Sequence, residues 1–484
     1  MPKKSTPSFK LLRQDARTYV WHPFTQMQEW EQQEPLIINR GKGTFLYDVD
    51  GNAYLDGTSS IWVNLHGHRH PAIDEAIRHQ LTNIAHTTLL GLSHPPAIQL
   101  AKALVRLAPK GLQKVFFSDN GSTAVEIALK MAIQYWQQCP CPQPRKTQFV
   151  HLGLAYHGDT VGGMSLSGIE LFQKPFSSLL FPGRHHVEAP YCYRCPLDLK
   201  FPQCQLACSD PLETLLQEKH EEIAGVIVEP MVQGVAGLIP SPPGYLRRLQ
   251  ELCRQYQVLF IADEVATGFG RTGRMFACEH ESVNPDIMAI AKGMTAGYLP
   301  LAATMTTEEI YSAFLGAPHE GKAFFHGHSY TGNPLGCAAA LANLSIFKTE
   351  RTLTNVQRRS PRLSVFLNTL AHEPWVGDIR QCGYMVGIEL VQSQQTKEPF
   401  PPIDRIGHRV TLAARALGLL IRPIGNTIIL MPPLSATLQE LKQMVAIIKV
   451  AISIVRASTN REQQSSRKGL TRTLPSYKGQ KFTR

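Results

Sequence analysis

VLFIADEVATGFGRTGR, residues 258–274, decides the fold. Val258 to Ala262 form an unbroken apolar run of strand length, and such runs mark strands buried on both faces of a parallel sheet. The run ends in two acids, Asp263 and Glu264, followed by a glycine-rich loop. In open parallel sheets ligands bind beyond the carboxyl ends of the strands, so an acid there is placed to touch one. A metal-site acid or a helix cap is the bland reading of the same pair.

The next strand-like run, DIMAIAKGM (286–294), carries Lys292 directly after its apolar residues. Burying a lysine is costly unless its ammonium is paired or neutralised, and burial depresses its pKa. A partly neutral amine is what imine formation requires. Pyridoxal phosphate chemistry needs a lysine for the aldehyde and an acid against the pyridine nitrogen. Asp263 and Lys292 lie 29 positions apart, room for one crossover between neighbouring strands.

Upstream, KVFFSDNGSTAVEIALK (114–130) reads as strand, Asn120-Gly121-Ser122-Thr123, then amphipathic helix. Free N–H groups and the dipole at such a helix start favour a phosphate, and Gly121 permits close backbone approach. AYHGDT (155–160) offers Tyr156 and His157 as aromatics to cover a ring face, although buried Tyr and His residues are commonly structural.

From residue 76 to 345 apolar runs alternate with helical patterns, which predicts βαβ units, a mostly parallel sheet and helices on both faces. Residues 346–455 read as a smaller α+β domain, with RIGHRVTLAARALGLLIRPIGNTIILMPPL as helix, strand, turn, strand. Residues 1–75 contain short strands around Asp-Gly and Gly-Lys turns and are expected to pack with that smaller domain.

The net charge of +11 is concentrated at the two ends. Residues 456–484, poor in apolar residues, read as a disordered basic tail. The body is near neutral, which argues against nucleic acid as a partner. No apolar stretch is long enough to span a membrane, and no secretory h-region follows the N-terminus. A cytoplasmic protein with reduced thiols is expected. Cys192, Cys195, Cys204 and Cys208 have a spacing that four thiolates could use for structural zinc. Their middle gap is short for a zinc ribbon, however, and no metal is expected.

VIVEPMVQGVAG, IADEVATGFGRTGR, AIAKGM and HGHSYTGNPLGCAAA together resemble the class III aminotransferases, fold-type I pyridoxal-phosphate transferases, over residues 20–450. The resemblance implies a large domain with a mostly parallel, seven-stranded-type sheet. It implies Asp263 at the pyridine nitrogen, Lys292 binding the cofactor aldehyde, Gly121 and Ser122 at the phosphate, and Tyr156 beside the ring. Ser329 would reach the phosphate from a second subunit, with His328 also at the cofactor and Gly327 at the substrate, making a homodimer with active sites at the subunit interface.

VWHPFTQM, SSIWVNLHGHRHP and LLIRPIGNTIILMPPL are similar to the 7,8-diaminopelargonic acid synthase family within that class. This implies transamination of 8-amino-7-oxononanoate in biotin biosynthesis, with S-adenosylmethionine as amino donor and lysine as second choice. Arg422 would clamp the substrate carboxylate, and Asp159 and Arg271 would lie near substrate. The chain departs from the family pattern at the substrate wall. Ile61-Trp62 replaces a Trp-Trp pair, Phe24 stands for a tyrosine, and His328-Ser329 for Pro-Thr. An ornithine, acetylornithine or 4-aminobutyrate transaminase is the nearer alternative, and a nucleic-acid-binding regulator built on this fold the remote one.

Overall fold

The computed structural model describes residues 9–470, the last eight by backbone alone. Seven strands form the central sheet: β1 (Leu112–Ser118), β2 (Gln148–Leu152), β3 (Arg184–Val187), β4 (Ile223–Val228), β5 (Leu259–Asp263), β6 (Ile287–Ile290) and β7 (Ala302–Thr307). Their order is β1-β7-β6-β5-β4-β2-β3. Only β7 runs against its neighbours. Residues on β4, β5 and β6 are buried throughout, as a sheet covered by helices on both faces requires. Register pairs Asp263 with Ala289 across β5 and β6, and this brings the acid and the lysine turn to one sheet end.

Helix α1 (Gly121–Gln138) begins where β1 ends. Asn120 caps it, its side chain accepting from the Thr123 N–H while Thr123 reaches back to the Asn120 N–H. Helix α2 (Pro334–Thr349) packs behind the lysine turn and continues past the expected boundary at 345, because its buried face, through Ile346 and Phe347, still has sheet-domain partners.

At the opposite, amino-terminal end of the sheet sits Lys146, 1% exposed. Its Nζ donates to the carbonyls of His220 at 2.7 Å and Gln257 at 2.8 Å and lies over the Trp136 ring. Three strand entrances are thereby tied together, and burial pulls the lysine down to about 8.

The N-terminal strands Ile38–Lys42, Phe45–Asp48 and Ala53–Asp56 form an antiparallel ribbon that Leu419–Leu420 extends in parallel. A second antiparallel sheet is built from Val376–Cys382, Met385–Ser393, Thr427–Leu430 and Arg422–Ile424. The last helix, α3 (Leu438–Leu470), corrects the expected tail at 456–484: it is helical through residue 470. Its apolar stripe through Met444, Ile448 and Val455 is buried, and Arg409 reaches Ser458 Oγ and Glu462. A helix anchored so well propagates cheaply into polar sequence. The remainder of that segment, 471–484, lies outside the described residues.

Cys192, Cys195, Cys204 and Cys208 are free thiols lining one small closed cavity of the segment after β3. Burial and the neighbouring thiols raise Cys208 to about 11. Among the described residues no group of three or more His, Cys, Asp or Glu is arranged to hold a metal ion. The segment is tied to the smaller domain by Arg194 Nε donating to Glu389 at 2.7 Å, which also pairs with buried Arg380.

Candidate active site

Five strand ends meet at a cavity of about 760 Å³. The segments after β1, β2, β4, β5 and β6 contribute Asp119 to Ser122, Tyr156 to Thr160, Glu229, Asp263, and Ala291 with Lys292. This size suits a cofactor together with part of a substrate.

Asp263 is 4% exposed at the floor. Its Oδ1 accepts from the Val265 N–H at 3.1 Å and its Oδ2 from His157 Nδ1 at 2.7 Å. Glu264, its sequence neighbour, turns away and accepts from Thr267 Oγ1 and the Cys278 N–H, so it is structural. Lys292 is half-buried in the cavity wall, and desolvation there lowers its pKa against the opposing attraction of Asp263 and Glu229. Its Nζ lies 5.2 Å from the Trp62 ring centre.

The Lys292 backbone is left-handed, at φ +39°. Asn343 of α2 braces it, with Nδ2 donating to the carbonyls of Gly293 and Met294, both at 2.9 Å. Because carbonyls only accept, Asn343 Oδ1 is left facing His66 Nε2 at 2.7 Å, and His66 must carry its proton there. Burial depresses His66 to about 4, so it stays neutral.

Across the cavity, Gly121 and Ser122 open α1. A Cβ at Gly121 would lie 2.5 Å from Val265 Cγ1, so no other residue fits unmoved. Ser122 Oγ meets Thr160 Oγ1 at 2.7 Å and accepts from the Thr160 N–H at 3.0 Å. Tyr156 is held by Asp159, and burial raises its pKa above the usual range. Burial also raises Glu229 to about 7. This acid accepts the N–H groups of Tyr156 and Gly234. Glu229 was not among the expected site residues; its signal in the sequence is an acid at the end of a third apolar run, VIVEP.

The wall formed by Ser59–Trp62 is unusual. All four residues have positive φ, at 49°, 48°, 64° and 69°, and hydrogen bonds from the Trp62 N–H to Thr58 O and from the Val63 N–H to Ser59 O close a left-handed turn. For non-glycine residues that conformation costs about 1–2 kcal/mol each. The turn presents Ile61 and Trp62 to the cavity.

A second cavity of about 530 Å³ shares Ile61 as a wall and is lined by Phe24 and Arg422. Phe24 and Arg422 therefore lie beyond the main cavity. Arg271, expected near substrate, does not line the main cavity but lies close enough to Lys292 to disfavour its charge. It is 1% exposed and donates from Nη1 to the Pro432 carbonyl and from Nη2 to the Asn64 carbonyl, so its fork clips two loops instead of lining the cavity. Gly327, His328 and Ser329 are also absent from this chain's own cavity lining, and His328 Nε2 comes only within 3.7 Å of Asp119.

The residues present fit pyridoxal phosphate. Buried His157 Nε2 lacks a partner, and a buried carboxylate, a neutralisable amine and a free helix N-terminus face one cavity. The class III aminotransferase family model matches residues 26–452. The chain is 53% identical to the adenosylmethionine-8-amino-7-oxononanoate aminotransferase of Nitratidesulfovibrio vulgaris, over 92% of this chain and 82% of that protein. The crystal structure of the Methanocaldococcus jannaschii protein of the same name superposes with a TM-score of 0.86 at 46% identity, covering 92% and 99%. An amine transaminase from an uncultivated Pseudomonas species, crystallised in its PLP-bound form, superposes with a TM-score of 0.86 at 38% identity, covering 90% and 99%. Sequence, topology and cavity agree: the chain belongs to the class III aminotransferases and is a pyridoxal-phosphate-dependent enzyme of fold-type I.

Proposed function

We propose that this enzyme transaminates 8-amino-7-oxononanoate to 7,8-diaminononanoate in biotin biosynthesis, as a cytoplasmic homodimer using S-adenosylmethionine as amino donor. The observation that carries the substrate is Arg422, a guanidinium without an acidic partner among the described residues, in a cavity that shares Ile61 as a wall with the reaction cavity. A substrate with a reactive carbonyl at one part of an apolar chain and a carboxylate at its end matches that layout. The names carried by relatives at 46–53% identity support the same substrate and donor.

Bound pyridoxal phosphate supplies an aldehyde for the amine and a ring that accepts electrons from the reacting carbon. The chain's own groups do the rest. Lys292, whose amine burial makes easier to deprotonate, offers a nucleophile and a site at Nζ that takes up and returns a proton. Asp263, oriented by His157, puts negative charge where the ring nitrogen's proton must be retained. The free N–H groups of Gly121 and Ser122 receive the phosphate. Tyr156 and Trp62 exclude water, which strengthens each of these charges. Arg422 meets the carboxylate with two parallel hydrogen bonds.

Exposed Leu90, Phe325 and Tyr330, with Gly327 against Leu90 and Tyr330 against His86, form an apolar surface beside Ser329. Such a patch supports pairing of two copies, with each Ser329 serving the partner's site. A panel of donors assayed with 8-amino-7-oxononanoate tests the reading. Turnover with S-adenosylmethionine and loss of reducible covalent cofactor in Lys292→Ala are expected. Turnover with lysine alone would replace the donor, and no turnover of the keto substrate would refute the assignment.

A further inference from the structure

We propose that Asp56 is a positioning residue that sets the substrate wall by holding Ser59–Trp62 in its left-handed turn. Four consecutive non-glycine residues at positive φ do not persist without compensation from their surroundings. Here it comes from one carboxylate, 1% exposed. Asp56 Oδ1 accepts from the Thr58 N–H at 3.3 Å and the Ser60 N–H at 3.0 Å. Oδ2 accepts from Ser60 Oγ and from His68 Nε2, each at 2.9 Å. Asn64 Nδ2 faces His68 Nδ1 at 3.1 Å, so the imidazole keeps its proton on Nε2 and points it at Asp56. Ser59 Oγ donates to the Met431 carbonyl at 2.7 Å, pinning the turn to the strand segment that follows Arg422.

A right-handed or extended path through these residues would swing Ile61 out of the boundary between the two cavities. Asp56 lines neither cavity itself but bonds Ser60 and Thr58, which do, so its influence on the reaction passes through the turn. The inference rests on the cavity being the substrate site, and the test separates the two. Covalent cofactor and its absorbance report the site, whereas KM reports the wall. In the holoenzyme, Asp56→Ala is expected to leave cofactor attachment and absorbance intact and to raise KM for the keto substrate roughly tenfold or more, with kcat changed far less. Glycine adopts positive φ without steric cost, so Asp56→Ala combined with Ser60→Gly is expected to recover most of the lost KM. If Asp56→Ala does not fold, Asp56→Asn with and without Ser60→Gly gives the same comparison. Unchanged KM in a folded Asp56 variant, or a raised KM that Ser60→Gly leaves untouched, would overturn the proposal. A wild type without covalent cofactor would instead sink the site assignment.

Discussion

His157 Nδ1 and Asp263 Oδ2 are 2.7 Å apart, both side chains buried, and among the described residues no other side chain hydrogen-bonds that carboxylate. The imidazole therefore fixes the direction of the charge. Asp263→Asn is expected to lower kcat by several powers of ten, at about 1.4 kcal/mol per factor of ten, without a matching loss of thermal stability. His157→Leu should cost roughly ten- to a hundred-fold in kcat. His157→Asn, which restores an N–H near the Nδ1 position, should recover part of it. Near-normal turnover in Asp263→Asn would contradict the role.

Asn343 braces the lysine turn through two carbonyls. Removing its amide leaves both buried acceptors without that donor, a cost of about 1–3 kcal/mol each. Asn343→Leu is expected to lower the melting temperature and to slow covalent attachment of added pyridoxal phosphate to the apoenzyme, measured by stopped-flow absorbance. His66→Leu should show the same slowing, and His66→Gln, which keeps a donor near Nε2, much less. A stability loss with unchanged attachment rate would reduce the pair to a packing role.

Arg422→Ala is expected to lower kcat/KM for the keto substrate by roughly ten- to a hundred-fold, the loss of a charge-assisted contact of about 1.5–3 kcal/mol. The donor half-reaction, followed in single turnover, should change less. Equal damage to both halves would make Arg422 a shared or structural group.

Glu229 has a pH signature in the apoenzyme. Burial raises it to about 7, above its ordinary value near 4.3. Between those values the folded chain holds a proton that the unfolded chain has released, so stability falls as pH rises across that window and levels off above about 7. The fall should reach about 4 kcal/mol at most. Denaturant titrations of wild type and Glu229→Gln at pH 5 and 7.5 check this, and an identical pH slope in both proteins would remove Glu229 as its source.

The sheet and its chemical end were legible because both speak in short-range pattern. An apolar run ending in Asp263, another ending before Lys292, and glycine and small polar residues opening α1 each carry their meaning within a few positions. What stayed hidden was orientation. Nothing local distinguishes Arg271, whose fork meets two backbone carbonyls, from Arg422, whose fork has no acidic partner among the described residues. Nor does sequence reveal that Ser59–Trp62 winds left-handed, because none of the four is glycine and the compensating Asp56 and His68 are contacts of the folded chain. The helix through residue 470 was missed for a similar reason: its polar end is carried by buried residues a few turns earlier.

Lys146 ties three strand entrances together at the far end of the sheet from Asp263 and Lys292. The molecule thus separates the place where it keeps its robustness from the place where it can afford change. Substitutions at Ile61 or Trp62 face the cavity at the other end of the sheet from that staple, so new amine preferences can be explored by mutation without loosening the strands that carry them. A lineage of this fold could therefore diversify its substrates quickly while its strand entrances stayed almost fixed.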